Sequence, residues 1–379
     1  MLRLQLGTLS LFTGYHALLV LTPLYLSAIG ANELVIGTAT GAFMLLAVGG
    51  HIAAPSLVPR WGTRRPFLLA LVGTSLAALA HVPITAAAAV VALSAVRGGI
   101  YGLGAVISAT AVAHLALPAH RAGALARYGF AAALPGLLGS TAAVFVAEEV
   151  GFTAAFLAVA AVSLLPAPLL LERDVPSVAS APEDDAGMGP LGPAALTVAL
   201  IFAGFAMVYG AALTFVPVHL TRAESAAYPF VLATALGLAA FRLAGGGVVK
   251  HVDPAATLGA GLLLGCLAMA LLAFLPPGVA PLGGLVFGAG FGLGGTATHS
   301  MLTTTTQWDS LGRANAVFNV AWSGGMGLGA AAFGVVATAL GVISSYLLAA
   351  GWHLLLGATL LIWLAARARR QGHRPAGQT

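Results

Sequence analysis

Charge is what this sequence has least of. Asp, Glu, Lys and Arg together supply 7% of its 379 residues, against about 25% in soluble domains. A chain so poor in charge cannot use water as its main solvent. Cysteine is nearly absent as well. The single Cys266 excludes an internal disulfide and a cysteine-built metal cluster, and no Cys/His spacing resembles a zinc site. No metal and no cofactor are expected. The sequence also lacks a Walker loop, a nucleophile elbow and an HExxH motif, so no ATP chemistry is written into it. Its acids avoid the long apolar runs, which leaves a membrane-embedded enzyme without an acid–base pair. The chain is not read as an enzyme.

What the sequence does have is apolar length. Hydrophobic residues make up 59% of it, and the mean hydropathy is +0.99. About 18 or more uncharged apolar residues suffice to cross a bilayer as a helix. Twelve such spans are predicted: Leu6–Ile29, Leu34–Val58, Pro66–Pro83, Ala86–Leu117, Ala124–Ala147, Phe152–Leu171, Ala194–Leu220, Ala227–Val249, Pro254–Leu275, Ala280–Thr306, Ala314–Leu340 and Val342–Ala366. The first is longer than the core of a signal peptide, about 7–15 residues, and is read as a retained helix. The fold class is thus an all-α integral membrane protein.

The few charges orient the chain. Ser56–Arg65, reading SLVPRWGTRR, is a cationic hairpin between the second and third spans, and short Arg/Lys-rich loops stay on the cytoplasmic side. That choice gathers Arg3, Arg60, Arg64, Arg65, Arg121, Arg127, Arg173, Lys250, Arg313, Arg367, Arg369, Arg370 and Arg374 inside. The other face keeps Arg222, beside Glu33, Glu148, Glu149 and Glu224. Both termini are expected in the cytoplasm of a cell whose plasma membrane holds the chain. The formal net charge of +5 then points to anionic lipid headgroups rather than nucleic acid.

Glu172–Pro193, rich in Pro, Ser and acids, reads as a cytoplasmic linker without a core of its own. It divides the chain into a first bundle of six spans, 1–171, and a second, 194–366, with a basic tail at 367–379. The halves echo each other: Arg60 and Gly62 follow the second span, and Gly246 and Lys250 follow the eighth. Such an echo suggests internal duplication.

These residues carry a family resemblance. Leu57, Arg60, Gly62 and Arg64 match the loop motif G-x-L-A-D-R-x-G-R-[KR] of the major facilitator superfamily; Pro55, Pro59 and Thr63 replace its Gly, Asp and Arg. In the second copy Lys250 takes the acidic position. LSAVRGGIYGLGA resembles the pattern L-x-x-x-R-x-x-x-G-x-G, with Arg97 in place, and Tyr128–Gly139 resembles the G-P-x-x-G signature. VFGAGFGLGG with the following GRANAVFNVAWSGGMGLGAAAFG is similar to a bacterial branch of efflux and sugar-efflux permeases. The resemblance implies two pseudo-symmetric six-helix bundles, a monomer, and alternating access of a small-molecule substrate to a central cavity lined by spans 1, 4, 7 and 10.

Candidate cavity residues follow from those spans. Arg97 shares a helix face with Tyr101, Gly104 and Ser108; it either meets substrate or clamps a neighbouring helix. His16 and His299 are further candidates, His299 with Thr296 and Thr303 on one polar stripe. His51 and His353 are read as packing residues, and Arg242 as a gate or anchor. Tyr209 falls on a stripe with Phe202 and Phe205. Asn319 shares a polar face with Asn315, Trp322 and Ser323. Arg60, Gly62, Arg64, Gly246 and Lys250 form the expected cytoplasmic gate. The run Gly290–Gly295 mimics a dinucleotide fingerprint, but it lies inside a span, where small residues serve close helix packing. The same reading covers Gly98/Gly102, Gly290/Gly294 and Gly325/Gly329.

Overall fold

Every regular element among the described residues is helical. The computed structural model describes residues 2–115, 135–136, 138–168, 192–305 and 311–372. Helix α1 is Leu2–Ala28, α2 Glu33–Trp61, α3 Arg64–Ala80 and α4 Ala87–Leu115. Helix α5 is described over 138–149 and is followed by α6, Phe152–Leu164. The second half contains α7 (Pro193–Arg222), α8 (Tyr228–Val248), α9 (Pro254–Phe274), α10 (Ala280–Thr305), α11 (Leu311–Leu340) and α12 (Val342–Gly372). Nine of these helices are long and apolar enough to cross a membrane, counted among the described residues. Large apolar side chains such as Leu243, Leu165 and Phe274 lie exposed on the outer surface, where lipid rather than water is the natural neighbour. Most of the linker Glu172–Pro193 and the final residues of the tail lie outside the described residues.

Two expectations need adjustment. The cationic hairpin is far tighter than Ser56–Arg65: α2 runs on to Trp61 and α3 begins at Arg64, leaving Gly62 and Thr63 as the turn. Gly62 has φ of 66°, a left-handed conformation that a side chain resists. Likewise α12 continues through the basic stretch to Gly372 instead of ending at Ala366. Arg367 lies over the ring of Trp363 on the same helix, 5.6 Å from its centroid.

Inside lipid, helices associate through close packing, because lipid tails are as apolar as leucine. Glycine provides that approach at matching places in the two halves. A side chain at Gly98 or Gly102 of α4 would strike the α2 backbone at Phe43 or Ala47. A side chain at Gly288 or Gly292 of α10 would strike the α8 backbone at Thr234 or Leu238. The α2–α4 crossing is therefore repeated as α8–α10. Gly325 and Gly329 of α11 meet Ala203 and Met207 of α7 in the same manner. The other predicted small-residue pair, Gly290 and Gly294, meets Gly261 of α9 and the ring of Phe205. The halves join along α2 and α11, where Gly37 and Gly41 lie against Ala330 and Ala331.

A direct check follows. Gly98→Val should force α4 away from α2 and destabilise the protein by about 1–3 kcal/mol, the usual cost of overpacking. Gly49→Ala, one position from the α2 contact with open space around it, should leave the melting temperature of the purified protein unchanged. Equal melting temperatures for the two variants would contradict this packing.

Candidate functional site

Helices α1 and α7 each carry an internal proline five residues before their end, Pro23 before Ala28 and Pro217 before Arg222. Tyr15 precedes Pro23 by the same interval as Tyr209 precedes Pro217. The two tyrosines are equivalents under the duplication, and both stack on the neighbouring central helix. The Tyr15 ring lies 3.9 Å from that of Tyr101 on α4, nearly parallel to it. The Tyr209 ring lies 4.1 Å from that of Phe291 on α10. Tyr101 and Phe291 are equivalent in turn, since each follows the first glycine of its crossing, Gly98 or Gly288, by three residues. Trp322 of α11 packs against Tyr209 and Phe291. Tyr15 of the opposite half lies close to its side chain. An aromatic layer thus spans the two halves at mid-depth.

At one position in the layer the duplication exchanges a ring for a charge. Where the second half places Phe287, stacked 5.7 Å from Tyr209, the first half places Arg97. Arg97 is 3% exposed. Its guanidinium carbon lies 4.6 Å from the centre of the Phe43 ring, and its Nη1 donates to Thr22 Oγ1 at 3.3 Å. Thr22 in turn lies 3.5 Å from Nε2 of His81, and His81 Nδ1 is 2.7 Å from the carbonyl of Ala77. The Nε of Arg97 has no hydrogen-bond partner among the described residues. Carrying a cation to mid-span costs about 2.5–3.5 kcal/mol on insertion scales. A cation–π contact returns about 0.5–2 kcal/mol of that, and no carboxylate occurs within any span to return the rest.

The remaining candidates divide. His16 sits beside Tyr15, ring centroids 4.6 Å apart, and next to Gly136, shortly before α5. His51, expected away from the centre, instead meets the edge of Tyr101 at 6.2 Å. His51 on α2 corresponds to Arg242 on α8, because each lies four residues beyond the backbone its crossing glycine touches, Ala47 or Leu238. Arg242 is exposed near the hairpin end of α8 and lies within electrostatic range of Tyr209 and His299. His299 is exposed and meets Phe318 edge-on. The hydroxyls of Thr296 and Thr303 donate to their own helix, to Gly292 and Ser300 carbonyls. On the Arg97 face, only Tyr101 joins the aromatic layer. Gly104 packs on Leu11 and Ala70, and Ser108 is fully buried and donates to Ala105. Asn319 is exposed while Trp322, one turn on, points into the layer. His353 is fully buried and meets Phe205 edge-on.

At the gate positions, Arg60, Gly246 and Lys250 are exposed at the hairpin end, with Gly62 and Arg64 partly covered. Asp253 serves the second hairpin as a helix cap, its carboxylate accepting from Ala255 N at 3.0 Å. Thr22, Phe43 and His81 escaped the sequence reading. His81 in particular lies at the end of α3 two residues before Pro83, where it reads as a loop residue.

The opposite end is closed across the halves. Arg222, at the end of α7, donates to Glu33, Ser27 and the carbonyl of Ala31. Glu148 of α5 accepts from the backbone N–H of Ala227 at 2.7 Å, at the start of α8, where a helix favours negative charge. Below them Thr214 of α7 donates to Thr40 of α2 at 3.3 Å. A small cleft lined by His219, Leu275 and Tyr346 lies at this end, apart from the aromatic layer.

This is the arrangement of a family. The Major Facilitator Superfamily model matches residues 4–330. The chain belongs to that superfamily. Two facilitator halves, each with its own aromatic pair, account for the repeated crossings. No curated protein matches the chain significantly. Among solved structures, a bacterial homolog of the human lysosomal transporter Spinster, in an inward-facing and unoccupied conformation, aligns with TM-score 0.79 at 16% identity over 99% of this chain and 98% of that one. A POT family transporter in complex with 5-aminolevulinic acid aligns with TM-score 0.79 at 12% identity, covering 95% of each chain. The nucleoside transporter NupG aligns with TM-score 0.75 at 15% identity over 95% of this chain and 98% of that one. At these identities the likeness is one of fold. The chain is a multi-pass membrane transporter of the facilitator type.

The closure can be probed. Because the Arg222–Glu33 pair is partly exposed, it contributes at most about 1 kcal/mol, and Arg222→Ala should barely change the melting temperature. It should nevertheless speed alkylation of a Thr214→Cys thiol in a Cys266→Ala background. An unchanged alkylation rate would mean that Arg222 does not hold this end shut.

Proposed function

We propose that this protein is a secondary transporter that exports a small organic solute across the cell membrane by rocking its halves around the Tyr15–Tyr209 layer. The observation that carries the reading is the meeting of duplicated aromatic pairs from both halves at mid-depth, the place where facilitator-type repeats bind substrate. The moving bodies are residues 1–171 and 194–366, joined by a cytoplasmic linker at 172–193, with a basic tail from 367, in a monomer. The Arg/Lys distribution supports placing the hairpin end and both termini in the cytoplasm. Arg222, Glu33 and Glu148 then form the outer gate; Arg60, Gly62, Arg64, Gly246 and Lys250 form the inner one. Export is supported by the sequence likeness to efflux permeases. The solutes named for similar folds, peptides and nucleosides among them, support an organic substrate rather than an ion.

Counterflow in proteoliposomes tests the transport reading. Vesicles loaded with a panel of small organic solutes should transiently accumulate a labelled member of the same panel, and empty vesicles should not. Absence of counterflow for every solute that shifts the melting temperature would overturn the reading. Orientation is tested separately in the Cys266→Ala background. An impermeant thiol reagent should label Val150→Cys in intact cells and Val252→Cys only after lysis; the reverse pattern would invert the topology.

A further inference from the structure

Among the described residues, the buried Arg97 borders the aromatic layer, Arg242 lies exposed on its hairpin side, and no acid accompanies them. Arg97 belongs to the first half and is stacked on Phe43, which with Tyr15 and Tyr101 makes three rings lying roughly parallel. Arg242 belongs to the second half and lies within electrostatic range of Tyr209 and His299. Eleven Asp and Glu occur in the sequence. Of those among the described residues, none lies within the helices at this depth: Glu33, Glu148, Glu149 and Glu224 cluster at the end closed by Arg222, and Asp253 caps α9 at the other. Among the described residues the interior therefore holds the fixed positive charge of Arg97 and no fixed negative charge.

Resting on the transport reading, we propose that the substrate is an organic anion with a flat aromatic body. Its charged group is held by Arg97, whose Nε lacks a partner among the described residues and whose planar fork suits a carboxylate. Its ring system enters where the Tyr15–Tyr101 and Tyr209–Phe291 pairs meet beside Trp322; the buried π-faces of Tyr15, Tyr209 and Phe291 are uncovered when the halves part. The break in the duplication explains the polarity of the site. The second half fills the Arg97 position with Phe287, so the buried charge comes from the first half alone, and the second half adds ring surface there with Arg242 exposed nearer the hairpin end. A cationic substrate would face two arginines with no carboxylate to receive it. A neutral one would leave the Arg97 charge unanswered in a medium of low dielectric. Arg242, on the hairpin side of the layer, attracts the same anion along its path.

A charge series of one ring system tests this on the full chain in nanodiscs. The probes are 2-naphthoate, 2-naphthamide and 2-naphthylmethylammonium, which differ mainly in charge. Naphthoate should bind at least tenfold more tightly than either of the others. Arg97→Gln should lose at least that factor for naphthoate and change naphthamide little, Arg97→Lys should retain part of it, and Arg242→Gln should slow naphthoate exchange. Equal or better binding of the ammonium or the amide, or no binding of any probe, overturns the proposal without needing a variant. So does a well-folded Arg97→Gln protein that binds naphthoate as the parent does. The counterflow arm separates the two readings. Exchange of a cation but not of naphthoate leaves a transporter and removes the anion site. Naphthoate bound through Arg97 but never exchanged leaves the anion site and removes transport.

Discussion

A guanidinium held at mid-membrane without a carboxylate is the constraint around which this protein is arranged. Arg97 is a permanent charge at any physiological pH, so the protein can neither neutralise it nor expose it to bulk water. Its surroundings do what remains possible. Phe43 offers a π-face, Thr22 accepts one hydrogen bond, and Thr22 is itself backed by His81 and, through it, by the carbonyl of Ala77. The chain of contacts ties α4 to α1, α2 and the end of α3. It also leaves one guanidinium nitrogen free of any described partner, a position suited to binding as well as to structure.

The scaffold that holds this charge is built twice. In each half a glycine-lined crossing brings two helices to backbone contact, and an aromatic pair sits one turn from it. Because glycines admit the close approach, the crossings are rigid rather than loose, and each half can move as a body. Polar contacts between halves are concentrated at the Glu33 end, where Arg222 and Glu148 bond across the boundary. Exposed ion pairs of this kind are weak, which suits contacts that the proposed cycle would break. Glycine packing is tight within the halves and also along the α2–α11 seam between them, so the proposed alternating access requires that seam to slide or open.

Much of the fold was legible because a membrane imposes simple rules. Span ends such as Pro254–Leu275 fell within a residue of the helix found, Pro254–Phe274, since apolar length alone sets them. The tight turn at Gly62 was legible as chemistry but not in extent: α2 and α3 keep winding through the charged stretch, because arginine is a good helix former and only Gly62 interrupts the backbone. The site was less legible. Arg97 announced itself as a charge in a span, yet its partners Thr22, Phe43 and His81 come from three other helices, and a linear pattern cannot pair them. His51 reads as a residue of an outlying helix until α2 crosses α4 at Gly50 and Gly102 and carries it to Tyr101. The equivalence of Tyr15 with Tyr209 was present in the sequence through Pro23 and Pro217, but only the stacked rings mark it as meaningful.

The central claim is that two packed halves rock about the aromatic layer, one end closing as the other opens. Distances between spin labels measure this most directly. One pair, at Val150 and Gly278, spans the halves at the Glu33 end; another, at Arg60 and Val252, spans them at the hairpin end. The account predicts two populations for each pair, with the shorter distance at one end accompanying the longer distance at the other as conditions shift the balance. Distances that stay fixed, or that lengthen and shorten together at both ends, would contradict it.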